Sequence, residues 1–203
     1  MSKIKICGLK RIEDIEFVNE TMPDFAGFVF AGTKRNISFN MAAKFKTLLD
    51  KEIKSVGVFT DEPLGNIIFL FKEGIIDMAQ LHGNEDENFI DALKFQIDMP
   101  VIKAIRVKEP LKDLKSKADF ILFDSYNENQ YGGSGQTFDW NFIKDINTPY
   151  FLAGGLNAQN IPIALKELNP FCIDISGGVE TGGNKDLEKI REIIKIVKPQ
   201  NRG

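Results

Sequence analysis

The chain has 203 residues, of which 43% are hydrophobic and 27% charged, with a formal net charge of −3. That is enough apolar material for one sizeable core, and it excludes a disordered chain. Mild acidity speaks against a generic nucleic-acid binder or a polybasic membrane protein, and two cysteines with one histidine cannot alone complete a four-ligand zinc site. Met1-Ser2-Lys3-Ile4-Lys5 carries charges with no apolar stretch behind them, and the longest apolar run, 67–71, is too short to span a bilayer. A cytoplasmic protein with reduced thiols is expected, with neither nucleic acid nor membrane as partner.

In chain order, β-rich runs fall at Ile4–Cys7, Ala26–Phe30, Ser55–Phe59, Met78–His82, Val101–Ile105, Phe120–Asp124, Tyr150–Ala153 and Cys172–Ser176. Helical stripes lie between or after them. Leu64, Ile67, Ile68 and Phe71 form one, Ile161, Ala164, Leu165 and Leu168 another, and Leu187, Ile190, Ile194 and Val197 a third. Asn157 and Asp186 sit where helix N-caps belong. Eight strand–helix units at roughly 25 residues each predict parallel strands with right-handed crossovers. The expected fold is a single-domain (β/α)8 TIM barrel over 1–203 with minimal loops, an open doubly wound sheet being the alternative.

One link breaks this economy. Residues 125–137 are polar and glycine-rich and directly follow a strand, as an active-site cover would. Catalytic groups of such barrels stand at the C-terminal ends of strands. Alternation puts Lys5 with Cys7, Met78 and Gln80 with His82, and Phe120 and Leu122 with Asp124, so that Cys7, His82 and Asp124 would face one mouth. Singly, these three also fit a small buried hydrophobe, a structural imidazole and a turn cap. Gly154-Gly155 follows strand seven and Ser176-Gly177-Gly178 follows strand eight. Converging backbone N–H groups there suit a phosphate, although glycines also serve tight turns.

Together these residues carry a resemblance. Lys5-Ile6-Cys7-Gly8, Lys34-Arg35, Gln80-Leu81-His82-Gly83, Gly132-Gly133-Ser134-Gly135 with Phe138-Asp139-Trp140, Ala153-Gly154-Gly155-Leu156-Asn157, Asp174-Ile175-Ser176 and Gly178-Val179-Glu180 resemble phosphoribosylanthranilate isomerase of tryptophan biosynthesis. The resemblance runs in order from residue 3 to residue 186. It implies an Amadori rearrangement of N-(5-phosphoribosyl)anthranilate, without metal or organic cofactor, in a monomer whose partner is that small substrate. By resemblance Cys7 is the general base, Asp124 the general acid, and Arg35 the holder of the anthranilate carboxylate. Gly154, Gly155, Ser176, Gly177 and Gly178 would hold the phosphate, and His82 and Asp174 complete the substrate-binding set.

The residue types suit that chemistry. Opening the ribose needs a protonated Asp124, which burial under the 125–137 segment would favour. A thiolate at Cys7 would be helped by a cation, and Lys5 either supplies it or pairs with a carboxylate such as Asp174. Arg35 would grip a carboxylate through its planar fork. The family usually reads Ser-Ser-Gly where this chain has Ser176-Gly177-Gly178. Two other readings are weighed: the related Amadori isomerase of histidine biosynthesis, expected to use paired aspartates, and a non-catalytic phosphosugar-binding barrel.

Overall fold

The computed structural model describes residues 1–111, 114–125 and 137–199. Eight parallel strands, β1 (Lys3–Cys7), β2 (Phe25–Val29), β3 (Lys54–Phe59), β4 (Met78–Leu81), β5 (Val101–Val107), β6 (Phe120–Ser125), β7 (Tyr150–Leu152) and β8 (Cys172–Ile175), pair in sequence order. The barrel closes through β1 and β8, with Lys5 opposite Asp174. Their near-continuous apolar sequences reflect burial on both faces, as in β2, which is buried at every position.

Two cores result from the alternation. Inside the barrel, Phe25, Val56, Met78, Ile102, Leu122, Phe151 and Cys172 stack together. Outside, Ile4, Ile6, Phe28, Leu81 and Phe123 meet the helices. The α-helices are α1 (Ile12–Thr21), α2 (Phe39–Leu48), α3 (Leu64–Lys72), α4 (Glu87–Gln96), α5 (Ile161–Glu167) and α6 (Leu187–Val197). In α6 the carboxylate of Asp186 accepts from the N–H groups of Glu188 and Lys189, the expected cap. No helix among the described residues is long and apolar enough to cross a membrane.

Strict strand–helix alternation needs correction. Among the described residues there is no α-helix in 108–119, and 137–149 carries only a 3-10 turn, Trp140–Ile143. Pro110 lacks an N–H, and a twelve-residue link is at the lower limit for a helical crossover. Asn157 is not the α5 cap either. Its carboxamide accepts from Gln159 and Asn160, capping a turn, and α5 begins one turn later. A hairpin of β9 (Glu180–Thr181) and β10 (Asn184–Lys185) precedes α6, turning on Gly182 and Gly183, both at positive φ. Thr-Gly-Gly-Asn is a two-residue hairpin signal in the sequence itself. The expected cover falls largely at 126–136, outside the described residues.

Candidate active site

The C-terminal rim brings the expected groups together. β1 ends on Cys7, β6 carries Asp124 at its end, and His82 directly follows β4. Gly27 on β2 leaves room for the thiol, because a Cβ there would stand 2.7 Å from Cys7 Sγ. His82 Nε2 lies 3.2 Å from Asp124 Oδ2, and the other carboxylate oxygen accepts the N–H of Ser125 at 2.8 Å. Gln80 Nε2 meets His82 Nδ1 at 2.9 Å.

Beneath the rim lies Lys5, fully buried. Its ammonium donates to Gln80 Oε1 at 2.6 Å and to Asp174 Oδ2 at 2.8 Å. Burial alone would strip its proton, but Asp174 and then Cys7 outweigh burial and hold it charged above the ordinary lysine range. Thus Lys5 both pairs with Asp174 and faces the thiol. The expected activation of Cys7 takes a different form, because its thiol is raised above its ordinary value. Burial pushes it up, Lys5 and Lys185 pull it down, Asp174 adds to the rise, and burial prevails. Asp174 therefore stands as an interior ion-pair partner, with Oδ1 buried and unpartnered among the described residues.

Arg35 follows β2 and is buried, but its fork is not idle. Nε and Nη2 donate to the two carboxylate oxygens of Glu180 at 2.7 and 3.0 Å. Lys185, also buried, donates to Glu180 at 2.9 Å and to the Ser176 carbonyl at 3.1 Å. The bidentate grip expected for a ligand is thus taken by the protein, and among the described residues the Nη1 side of the guanidinium lies outside that pair. Sequence reading missed the roles of Glu180 and Lys185. The hairpin signal at Gly182-Gly183 would have paired them across the turn, since Lys185 stands opposite Glu180.

The two glycine-rich loops meet. Gly154 and Gly155 both have positive φ, and a Cβ on Gly154 would stand 2.4 Å from the Ser125 nitrogen. A Cβ on Gly178 would stand 2.1 Å from the Leu156 carbonyl oxygen. Ser176 spends its hydroxyl proton on the Cys7 carbonyl at 2.9 Å, tying the ends of β8 and β1 together. Gly177 is not among the positive-φ residues.

A family model described as N-(5'phosphoribosyl)anthranilate (PRA) isomerase matches residues 4–196. The chain belongs to the phosphoribosylanthranilate isomerase family. A curated N-(5'-phosphoribosyl)anthranilate isomerase from Endomicrobium trichonymphae is 56% identical over 198 residues, covering 98% of this chain and 99% of the relative. Among solved structures, the phosphoribosyl anthranilate isomerase of Thermus thermophilus superposes with a TM-score of 0.85 at 30% identity, covering 96% of this chain and 98% of that one. The Thermotoga maritima phosphoribosyl anthranilate isomerase gives 0.84 at 33%, covering 98% and 99%. These matches bear out the expected fold and family, and with them an isomerase of tryptophan biosynthesis.

Proposed function

We propose that Cys7 and Asp124 are the base and acid of a phosphoribosylanthranilate isomerase that yields 1-(2-carboxyphenylamino)-1-deoxyribulose 5-phosphate. Asp124 protonates the ribose ring oxygen as the C1–O bond breaks, and the nitrogen lone pair forms a Schiff base. The cationic imine acidifies the C2 proton, which the Cys7 thiolate removes to give an enolamine. Tautomerisation to the ketone completes the rearrangement, with no change in overall composition. The observation that carries this reading is a thiol and a carboxyl group on one barrel rim, with the buried Lys5 cation beneath the thiol. A solved phosphoribosyl anthranilate isomerase, with a TM-score of 0.80 at 30% identity, is described in complex with the reduced form of that product, which supports the assignment of the reaction.

In this reading the Nη1 side of Arg35 receives the anthranilate carboxylate, while Glu180 holds the opposite edge. The phosphate lies between the Gly154–Gly155 and Ser176–Gly178 loops and takes backbone N–H groups, since the Ser176 proton is already engaged. His82 takes part by standing against Asp124, its Nε2 3.2 Å from the carboxylate, at the mouth where the sugar would lie. Every residue this reading invokes belongs to one barrel, so a monomer suffices for it. Sedimentation velocity tests this against the dimeric Thermotoga maritima relative, from which monomers were generated.

The decisive experiment follows loss of phosphoribosylanthranilate fluorescence with Cys7→Ala and Asp124→Asn. Each should lower kcat at least about 10²-fold, the scale for losing a positioned acid or base, with an unchanged far-UV spectrum. Near wild-type turnover by either variant removes that residue from the mechanism.

A further inference from the structure

A continuous polar line crosses the barrel from Asp174 to Asp124. It runs from Asp174 through the Lys5 ammonium, the Gln80 carboxamide and the His82 ring. Lys5 and Gln80 are both buried, so water cannot substitute freely for either partner. The chemistry of its members gives this line a direction.

An ammonium has donors only, so the Gln80 atom facing Lys5 at 2.6 Å must be the carbonyl oxygen. The Gln80 amide then turns its N–H toward His82 Nδ1, 2.9 Å away, and Nδ1 must accept. In the neutral ring the proton is therefore on Nε2, facing Asp124 Oδ2 at 3.2 Å. A proton on Nδ1 would set two donors head to head beside the buried Gln80 amide, leaving both unpaired.

We infer that the buried Lys5–Gln80 pair fixes the tautomer of His82, making the imidazole an obligate Nε2–H donor to Asp124. Lys5 and Gln80 are thus positioning residues for the proton chemistry, acting through His82. The consequence rests on the reading of Asp124 as the acid. A neutral ring that already carries its proton on Nε2 offers Asp124 no acceptor. When Asp124 is protonated, its proton is directed to the ligand rather than back into the wall. The imidazole also holds the carboxyl group in one orientation as its proton leaves.

His82 is the only histidine in the chain, so 15N-detected NMR of the imidazole reports on this residue without assignment. In mildly alkaline buffer the folded protein should show an unprotonated Nδ1 and a protonated Nε2. Gln80→Glu keeps the shape but presents carboxylate oxygens to both neighbours. It should move a proton onto Nδ1 and lower kcat on the order of tenfold or more, the scale of one misdirected charged hydrogen bond, with KM little changed. Gln80→Met, which removes both hydrogen bonds, should give a mixture of tautomers and an intermediate kcat. It also serves if the glutamate variant does not fold. A protonated Nδ1 in the unaltered protein overturns the inference, as does an unshifted tautomer in both variants. A shifted tautomer with unchanged kcat overturns the positioning role. Full activity of Asp124→Asn with the expected tautomer would instead refute the acid assignment and leave the tautomer lock standing.

Discussion

Arg35 and Glu180 lie 145 positions apart in sequence and meet edge to edge, with both carboxylate oxygens taken by one side of the guanidinium. Burial works against the Glu180 charge, but Arg35 and Lys185 more than offset it and hold the carboxyl near a pKa of about 2. A folded-state value below that of the unfolded chain means stability that is present above the unfolded pKa and lost as pH falls toward the folded one. Glu180→Gln should therefore lower the thermal midpoint at neutral pH and flatten its dependence between about pH 4.5 and pH 2. An unchanged acid limb in thermal melts would show that the pair contributes nothing there.

Substitution of Arg35 separates binding from structure. Arg35→Ala should cost on the order of 1.5–3 kcal/mol in kcat/KM, as expected for a charged hydrogen bond to the substrate carboxylate. A substrate analogue without that carboxylate should be nearly indifferent. Equal losses with both would mean that Arg35 serves the hairpin through Glu180 and not the ligand.

The elevated Cys7 thiol has its own signature. Burial raises it despite Lys5 and Lys185, so a base at this position should give kcat/KM that still climbs with pH beyond neutrality. Asp174→Asn removes a carboxylate that helps keep the thiol high, and should move this limb to lower pH. The same change leaves Lys5 buried without its ion-pair partner, at a cost of about 3–5 kcal/mol in stability. Stability and pH profile together check the pair. A lowered midpoint without any shift of the limb would separate Asp174 from the chemistry.

Strand order and inward faces were legible because alternation is local. Lys5 and Cys7, Gln80 and His82, and Leu122 and Asp124 share faces simply by being two residues apart. Cys172 stands in register with Lys3, four residues before Cys7, and both cysteines are free. What stayed hidden depends on contacts distant in sequence. Nothing near Arg35 announces Glu180, and nothing near Gln80 shows that Lys5 will fix its amide. The sign of the Cys7 shift was also out of reach, because it is a contest between burial and two lysines, one of them 178 positions away. The break in alternation after β5 is hidden for a different reason, since eight strands invite eight helices.

The neighbouring glycines Gly177 and Gly178 should answer substitution differently, although both belong to the expected phosphate loop. Gly177 keeps an ordinary φ, so a serine there needs no left-handed backbone. Gly177→Ser should leave the thermal midpoint nearly unchanged, and a new hydroxyl should tighten KM by no more than the roughly 1 kcal/mol of one hydrogen bond. At Gly178 a Cβ would press to 2.1 Å from the Leu156 carbonyl oxygen, a backbone atom that cannot rotate away. Gly178→Ala must part the two glycine-rich loops, costing about 1–3 kcal/mol as an overpacked contact does. If those loops hold the phosphate through backbone N–H groups, their separation should weaken inhibition by inorganic phosphate together with the fall in midpoint. Gly177→Ser supplies the control, because it alters the same loop at a position that needs no left-handed backbone. Weaker phosphate inhibition in Gly177→Ser, or none lost in a destabilised Gly178→Ala, would place the phosphate elsewhere on the rim.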